Sequence, residues 1–556
     1  MHRDLPVRLM IVTVVLALLA NGASLAGAAG VNGIALCTAA SDQSHPVATP
    51  DGTGGVIVAW HDERPTASAG GVCYAQRLNA TGSPQWSANG VVLSTSGDPG
   101  LPVIAPDGLG GAFLAYAGSN SGPRAQWVNA AGVPQWGLDG VALSVTASPK
   151  RELAIAADLG GSGGAIVAWR EDNGAGGTSD VYAQKVSSAG AIQWSSSGAT
   201  VSATTMNSET LPALISDGAG GAIVVFLFSG GGSARMQRLN ASGVTQWSST
   251  SLTGTTNNNP PAIVSDGAGG AVVAWAGGGI FAQRVSSAGV RQWSPTNAGV
   301  TLSTTGNLPT MIPDGAGGAT VTWQDLRSGT NFNIYAQRVN GTGAPQWIAN
   351  GAAVCTATND QRSPAIVSDG ATGAIVAWYD SRSGASVDDI YAQRISSAGV
   401  PQWNIDGMSV CTAADNQQFP AVASDAAGGA FIAWQDHRSG TNNDIYAHRV
   451  NPSGLVLSVP IGSGSPWSMR VWPTPAFDQV RVAFDVPHAS ARIRLGIYDL
   501  GGRSIRTLLD GERAAGSHVL VWDGLDASGR RALAGVYFCR LEASGTVSTR
   551  KVLLAR

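Results

Sequence analysis

The feature that most limits what this chain can fold into is a phrase it repeats eight times. An Asp-Gly-x-Gly-Gly turn, or a close variant, stands at Asp51, Asp107, Asp158, Asp217, Asp266, Asp314, Asp369 and Asp425. An apolar run follows each turn and carries an aromatic residue: Trp60, Tyr116, Trp169, Phe226, Trp275, Trp323, Trp378 or Trp434. Self-similarity at a period of roughly 50 residues marks an array of supersecondary units rather than one irregular core.

Four strands can be placed in each unit. In the copy that runs from Pro364 to Trp403, the first is PAIVSD, opened by a proline, which a strand tolerates at its first residue. The Asp-Gly turn leads into GAIVAW as a Gly-rich hairpin does, DIYAQRI is third, and the fourth starts at PQW and runs to MSVCT. So small a unit is not stable alone, and strands that are apolar nearly throughout need neighbours on both faces. Radial packing supplies them and leaves only short outer edges. The expected fold is all-β, an eight-bladed β-propeller over residues 31–454. Seven blades is the alternative, because the units around Tyr116 and Phe226 are degenerate.

The ends of the array indicate how it closes. GIALCTAASDQSHP (residues 33–46) matches the fourth strand and exit loop of later copies, AAVCTATNDQRSP and MSVCTAADNQQFP. It stands before the first full unit, whereas the last unit has no Gln-Trp strand. The amino-terminal strand is therefore expected to complete the last blade and hold the ring shut with ladder hydrogen bonds.

Ahead of it, His2, Arg3 and Arg8 precede the apolar run LMIVTVVLALLA and the small-residue pattern Ala26-Gly27-Ala28. This reads as a signal peptide over residues 1–28, too short to span a bilayer, and no later segment is a transmembrane candidate. Charged residues make up 12% of the chain and glycine 74 of 556 positions, which fits turn-rich β-structure. A net charge of −3 gives no reason to expect nucleic acid as a partner.

The repeated polar motifs read as scaffold. Gln-Trp pairs end at Trp86, Trp136, Trp194, Trp247, Trp293, Trp347 and Trp403, and third strands carry Arg77, Arg238, Arg284, Arg338, Arg394 and Arg449. What recurs in nearly every blade does what every blade needs, namely packing and turn closure. Each Asp-Gly loop offers one carboxylate followed by glycines, a hairpin turn rather than a calcium loop. Asn79, Asn240 and Asn340 fit the glycosylation pattern but sit where a turn calls for Asn. Cys37, Cys355 and Cys411 occupy equivalent positions in different blades, too far apart to pair, and with Cys73 and Cys539 they are expected as buried thiols. His45, His61, His437 and His448 are read as solvated side chains rather than a metal site. No catalytic motif or cofactor signature is legible.

After the Gly/Ser/Pro-rich linker 455–468 the character of the chain changes. Residues 469–556 read as six or seven short alternating strands with Asp-Gly and Gly-Gly turns, hence a β-sandwich. The ordered motifs Tyr498-Asp499 with Gly502-Arg503, Trp522-Asp523-Gly524 and Gly535-Val536-Tyr537-Phe538 resemble the immunoglobulin-like carboxyl-terminal domain related to the flagellar hook-capping protein FlgD and to type IX secretion sorting domains. Pro473-Thr474-Pro475 stands for that family's Pro-Asn-Pro-Phe, and Cys539 for a common aromatic. The resemblance implies an immunoglobulin-like fold, a secreted or surface-attached protein, and export machinery as a partner. The repeats also resemble those of secreted bacterial proteins that carry such tails.

The function expected is a non-catalytic extracellular module that binds a glycan, polymer or protein, or a surface structural element. The alternative is a polysaccharide-acting propeller enzyme, a glycosidase or lyase. Loops on a rigid scaffold commonly carry recognition. Four loops between second and third strands hold Asp-x-Arg: Asp62 with Arg64, Asp325 with Arg327, Asp380 with Arg382, and Asp436 with Arg438. Closure makes these units contiguous, and the pairs are either braces for their own loops or a polar arc that binds a ligand.

Overall fold

The computed structural model describes residues 32–555 apart from 65–70, 96–99, 119–121, 159, 161–162, 174–176, 205, 231, 253–258, 295–298, 385–386, 455, 458–468, 473–475, 477–478, 487–490, 514–515 and 544–545. The signal-peptide segment and most of the expected linker lie outside the described residues. The chain divides into two compact units, Met1–Val459 and Pro460–Arg556.

Among the described residues, the first unit contains eight antiparallel sheets, seven of four strands and one of five. The seventh shows the plan, with strands Gln361–Ser368, Ala374–Asp380, Asp389–Ile395 and Met408–Cys411. Its second strand, AIVAWYD, is buried at Ala374 through Trp378 without interruption, as a strand covered on both faces must be. The turn before it is made by Asp369, whose Oδ1 accepts the N–H of Ala371 at 2.9 Å and of Gly373 at 2.8 Å. These bonds satisfy backbone donors that the hairpin leaves over.

The fourth strand is shorter than the sequence suggests. Pro401 makes a single bridge to Ile395, and the ladder resumes only at Met408. The Gln393 side chain intervenes: Oε1 accepts the N–H of Trp403 at 2.9 Å and Nε2 donates to Asn404 O at 2.8 Å. One side chain thus takes the place of ladder bonds and turns the chain outward.

Each sheet packs on the next. Ile57 and Ala59 of the first share a core with Leu114 and Tyr116 of the second. Similar clusters continue through the third to eighth sheets. A final one joins Phe431 and Ala447 of the eighth sheet to Val56 and Trp60 of the first. Ile34–Cys37 occupies the fourth-strand place of the eighth sheet, pairing Ile34 with Ala447, Ala35 with Tyr446 and Cys37 with Ile445. The short strand Val456–Leu457 adds to the same sheet through Arg449 and Val450.

The second unit is a two-sheet sandwich of seven strands among its described residues. One sheet contains Met469–Trp472, Val480–Val486 and Gly516–Trp522; the other contains Ser504–Arg513, Ala491–Asp499, Gly535–Ala543 and Thr546–Leu554. Val482, Phe484, Leu495, Trp522 and Leu541 lie in its core. Tyr537 meets the Trp522 ring edge-on at 5.2 Å and donates its hydroxyl to Leu533 O at 2.7 Å.

Candidate functional site

The first strands of seven sheets line one cavity of about 860 Å³ in the first unit. Pro46, Pro102, Pro260, Pro309, Pro364 and Pro420 lie around its wall. Proline has no N–H to give a ladder, so a strand that contains one there must break register. The registers do shift between Ser44 and Val47, Asn307 and Thr310, Arg362 and Ala365, and Gln418 and Ala421. At these bulges the residue before proline adopts φ near +50°: His45 (51°), Leu308 (50°), Ser363 (51°) and Phe419 (52°). Glu152 and Leu211 hold the same conformation at the bulges of the third and fourth sheets.

A non-glycine residue costs of order 1–3 kcal/mol in such a conformation and persists only where its surroundings impose it. Here they do so through the neighbouring sheet. Gln324 Oε1 accepts the N–H of Ser363 at 2.9 Å, Gln435 Oε1 that of His45 at 3.3 Å, and Glu152 Oε2 that of Leu211 at 2.6 Å. Bulges re-aim side chains, and at five of these positions the re-aimed residue, His45, Glu152, Leu308, Ser363 or Phe419, lines the cavity.

The lining has two characters. On one side the His45 ring stacks on Phe419 at 4.9 Å, and Phe419 meets Tyr379 edge-on at 6.1 Å. Burial, and after it the charge of His61, push the His45 imidazole below its ordinary value, so it is neutral at pH 7. On the other side the third sheet gathers charge. Arg170 bridges Glu152 at 2.9 Å and Asp172 at 3.0 Å, Arg151 lies 3.4 Å from Asp172, and the buried Lys150 donates to Thr146 O and Ser148 O at 2.7 Å. Burial holds the Lys150 ammonium below its ordinary pKa. Leucines, valines and the prolines fill the rest.

The four Asp-x-Arg pairs are placed alike, at the ends of second strands. Asp380 is fully buried: it accepts the indole N–H of Trp378 at 2.8 Å and two guanidinium bonds from Arg382 at 2.6 and 2.9 Å. Arg382 also donates to Asp406 O at 2.7 Å and to Cys355 Sγ at 3.1 Å, and it lies flat on Tyr391, 3.8 Å from the ring centre. Arg64 repeats this with Asp62 and Cys37, and Arg438 with Asp436 and Cys411. Burial pushes the Cys355 and Cys411 thiols up to about 12.

Arg327 is the variant of the set, because Ser303 stands where the other three sheets have cysteine. Its Nη2 donates to Asp325 Oδ2 at 2.6 Å, to Ser303 Oγ at 3.1 Å and to Asn350 O at 2.7 Å, and the guanidinium lies 3.6 Å from the Tyr335 ring centre. Arg64, Arg382 and Arg438 each give a second bond to their aspartate through Nε. The buried Arg327 Nε makes no hydrogen bond among the described residues, and Thr305 Oγ1 donates to Asp325 Oδ1 at 2.8 Å instead.

Asp62, Asp325, Asp380 and Asp436 are all buried, and Arg64, Arg327, Arg382 and Arg438 turn inward to bond them and the turns of the same sheet. The physical reason is the indole N–H beside each carboxylate, which with the arginine compensates its burial. Each arginine thus joins its own aspartate to a turn of its own sheet.

The other repeated motifs join sheets. Trp86 Nε1 donates to Ala130 O of the next sheet at 3.1 Å, and Arg77 binds Asp51 of its own sheet and reaches the same carbonyl at 3.0 Å. Asn79 Oδ1 accepts from Thr81 N and Ser83 N, the turn chemistry its sequence implies. Among the described residues, no three His, Cys, Asp or Glu side chains gather as a metal site. His437 pairs with Asp415 at 2.9 Å, and His61 lies 3.7 Å from Glu63.

The cavity was not legible in the sequence. The one local signal for it was the recurring X-Pro at the start of first strands, which reads simply as a strand opening.

Residues 473–546 match the FlgD Ig-like domain family. No curated protein matches the chain. Among solved structures, FlgD from P. aeruginosa is 27% identical over 16% of this chain and 68% of its own, with a TM-score of 0.13. A protein of unknown function from Dyadobacter fermentans aligns over 76% of this chain and 98% of its own at 8% identity and TM-score 0.33. The SapL1 lectin in complex with alpha methyl fucoside aligns over 57% and 97% at 16% identity and TM-score 0.31. No helix among the described residues is long and apolar enough to cross a membrane.

Proposed function

We propose that the first unit is an eight-bladed β-propeller closed by its amino-terminal strand, and that it acts outside the cell as a non-catalytic binding module whose ligand enters the proline-lined cavity. The observation that carries this reading is the set of strained, non-glycine bulge residues aimed into one cavity from separate sheets. Ligand sites are commonly apolar concavities with a few placed polar groups, and this lining fits that description. It suits a partner that inserts an aromatic or aliphatic group against His45 and Phe419 and sets a polar group beside Arg151 and Glu152.

Binding is favoured over glycoside hydrolysis by the state of the carboxylate. Hydrolysis needs two carboxyl groups about 5–10 Å apart across the substrate. Glu152 is the carboxylate among the described lining residues, and both its oxygens are engaged, by Arg170 and by Leu211 N–H. In this reading Arg64, Arg327, Arg382 and Arg438 brace their own loops with their aspartates and make no ligand contact. The leading segment serves secretion, and the FlgD-like domain serves export or attachment at the cell surface.

The test is a screen of the mature protein against cell-wall polymers, glycans and peptides that reads both binding and product release. Saturable binding that Phe419→Ala abolishes is expected. Released product would overturn the non-catalytic reading, and binding that survives Phe419→Ala would place the site elsewhere.

A further inference from the structure

The fourth sheet differs from its neighbours in how its last strand begins. In the first, second, third, sixth and seventh sheets the fourth strand takes up its ladder five residues past the Gln-Trp tryptophan, at Val91, Val141, Ala199, Ala352 and Met408. In the fourth sheet it does so three residues past Trp247, at Thr250. The turn shortened in this way elsewhere ends on a glycine set against the second-strand tryptophan, as Gly90 is on Trp60 and Gly407 on Trp378. The fourth sheet has Phe226 in place of that tryptophan.

The short turn leaves a cavity of about 480 Å³ between Ser248–Ser251 of the fourth sheet and Gly289–Arg291 of the fifth. It shares no lining residue with the proline-lined cavity. Arg291 stands here where Pro84, Pro134, Pro345 and Pro401 precede Gln-Trp in four other sheets. It is half-buried, and its Nη1 donates to Ser251 O at 2.6 Å.

The guanidinium has no acidic partner among the described residues, and no Asp or Glu occurs from Asn240 to Ser265 or from Val285 to Pro313. Arg124 and Arg235 lack a carboxylate too, but both are otherwise engaged. Arg124 gives Nε to Asp139 O and Nη2 to Gly140 O, and Arg235 lies over the Phe228 ring at 3.3 Å. Arg291 keeps Nε and Nη2, one edge of its fork, uncommitted among the described residues. Beside it the hydroxyls of Ser248, Ser249 and Ser251 make no hydrogen bond among the described residues, while Thr250 Oγ1 is fixed on Gly289 O at 3.1 Å.

We propose that this cavity is a second binding site, which takes an acidic saccharide with a uronic acid carboxylate on Arg291. A guanidinium edge grips a planar carboxylate through two parallel N–H bonds, and the bond to Ser251 O holds that edge in place. Serine hydroxyls both give and accept hydrogen bonds, as sugar hydroxyls do. The volume lies within the range of about 300–1,000 Å³ that organic ligands fill, so there is room for sugar rings as well as the charged group. Val290 is the one apolar side chain beside Arg291 and the hydroxyls in the described lining. An acidic peptide would find little there for its apolar neighbours, which favours the saccharide.

The experiment is calorimetric titration of the full mature chain with trimers of galacturonic, glucuronic and mannuronic acid. The neutral methyl ester of whichever trimer binds, a sulfated disaccharide and triglutamate are run beside them. At least one uronic trimer should bind, its ester and triglutamate at least tenfold more weakly, and its affinity should fall as NaCl rises from about 50 to 500 mM. Arg291→Pro installs the residue that four other sheets carry, so it should melt like wild type and bind the trimer at least tenfold more weakly. Ser249→Asp sets a carboxylate in the cavity and should weaken binding likewise, whereas Phe419→Ala, in the other cavity, should leave it unchanged. No uronic trimer bound, an ester, sulfated sugar or triglutamate bound as tightly, or an Arg291→Pro titration like wild type's would overturn the assignment. Binding lost in Phe419→Ala and kept in Arg291→Pro would move the saccharide to the proline-lined cavity and overturn it too. If Arg291→Pro does not fold, undiminished binding by Ser249→Asp overturns it instead.

Discussion

The indole of Trp86 lies against Gly132 of the following sheet, so close that a Cβ at that glycine would come within 2.8 Å of the ring. The same relation joins Trp136 to Gly190, Trp247 to Gly289, Trp347 to Gly399 and Trp403 to Gly454. The Gln-Trp motif is thus a staple between sheets, its N–H on the neighbour's turn carbonyl and its face on the neighbour's glycine.

Gly132→Ala tests the staple. Gly132 has φ +81°, so alanine brings both a strained backbone and a collision with Trp86. Gly218 has φ +75° and nothing within 4 Å of its would-be Cβ, so Gly218→Ala brings the backbone strain alone. Denaturant unfolding should show a loss of about 1 kcal/mol for Gly218→Ala and about 1–3 kcal/mol more for Gly132→Ala. Equal losses would remove the packing role from the motif.

The junction of the third and fourth sheets should be pH-sensitive. Burial, then the neighbouring Asp180, raise the Glu209 carboxyl from an ordinary 4.5 to about 7, while Thr204 and Ser202 hold its other oxygen. The folded state therefore keeps a proton that the unfolded chain releases earlier. Stability falls as pH rises from about 4.5 to about 7 and is level above, by at most about 3 kcal/mol. Gln43, Gln361 and Gln417 fill the equivalent position elsewhere, so Glu209→Gln should fold normally. It should flatten this slope and raise stability at pH 8; an unchanged slope would assign it to other groups.

Arg382 should matter to folding rather than to ligand. Arg382→Ala leaves the Asp380 carboxylate buried without its cationic partner, held by the Trp378 N–H, the Gln361 amide, the Cys355 thiol and a backbone donor, and breaking a buried pair from one side costs about 3–5 kcal/mol. A large drop in Tm is expected, with affinity per folded molecule unchanged. Stability close to wild type together with lost binding would return the pair to the ligand site.

Removal of residues 31–37 should lower Tm far more than an equal deletion within 460–468. Leu36 and Cys37 are buried in the core that joins the eighth sheet to the first, and their loss would bare the edge of Asp444–Val450 to other chains. Equal melting of the two deletions would argue against closure by this strand.

What the sequence by itself determined is what local chemistry and repetition encode. Asp51 reaches its turn amides within four residues, so each Asp-Gly hairpin could be read in place. Ile34–Cys37 copies the fourth strand of later units, so its partner could be named from the pattern. The FlgD-like domain was legible because several of its turn and strand motifs occur in order. Tertiary structure decided the rest. Asp380 and Arg382 look like a solvated loop pair until Trp378, Cys355 and Asp406 close around them from three separate segments, and Arg327 does until Ser303 and Asn350 close around it. His45, Leu308, Ser363 and Phe419 each precede an ordinary strand proline. Their backbone strain comes from the neighbouring sheet, through side chains such as Gln435 and Gln324, and the cavity they line exists only when seven strands, far apart in sequence, are brought together. The seam between the amino-terminal loop and the eighth sheet depends on that distance most of all. Ser41 and Asn442 stand 401 residues apart, and only the packing of the eighth sheet on the first brings the Asn442 carboxamide to Ser41 O.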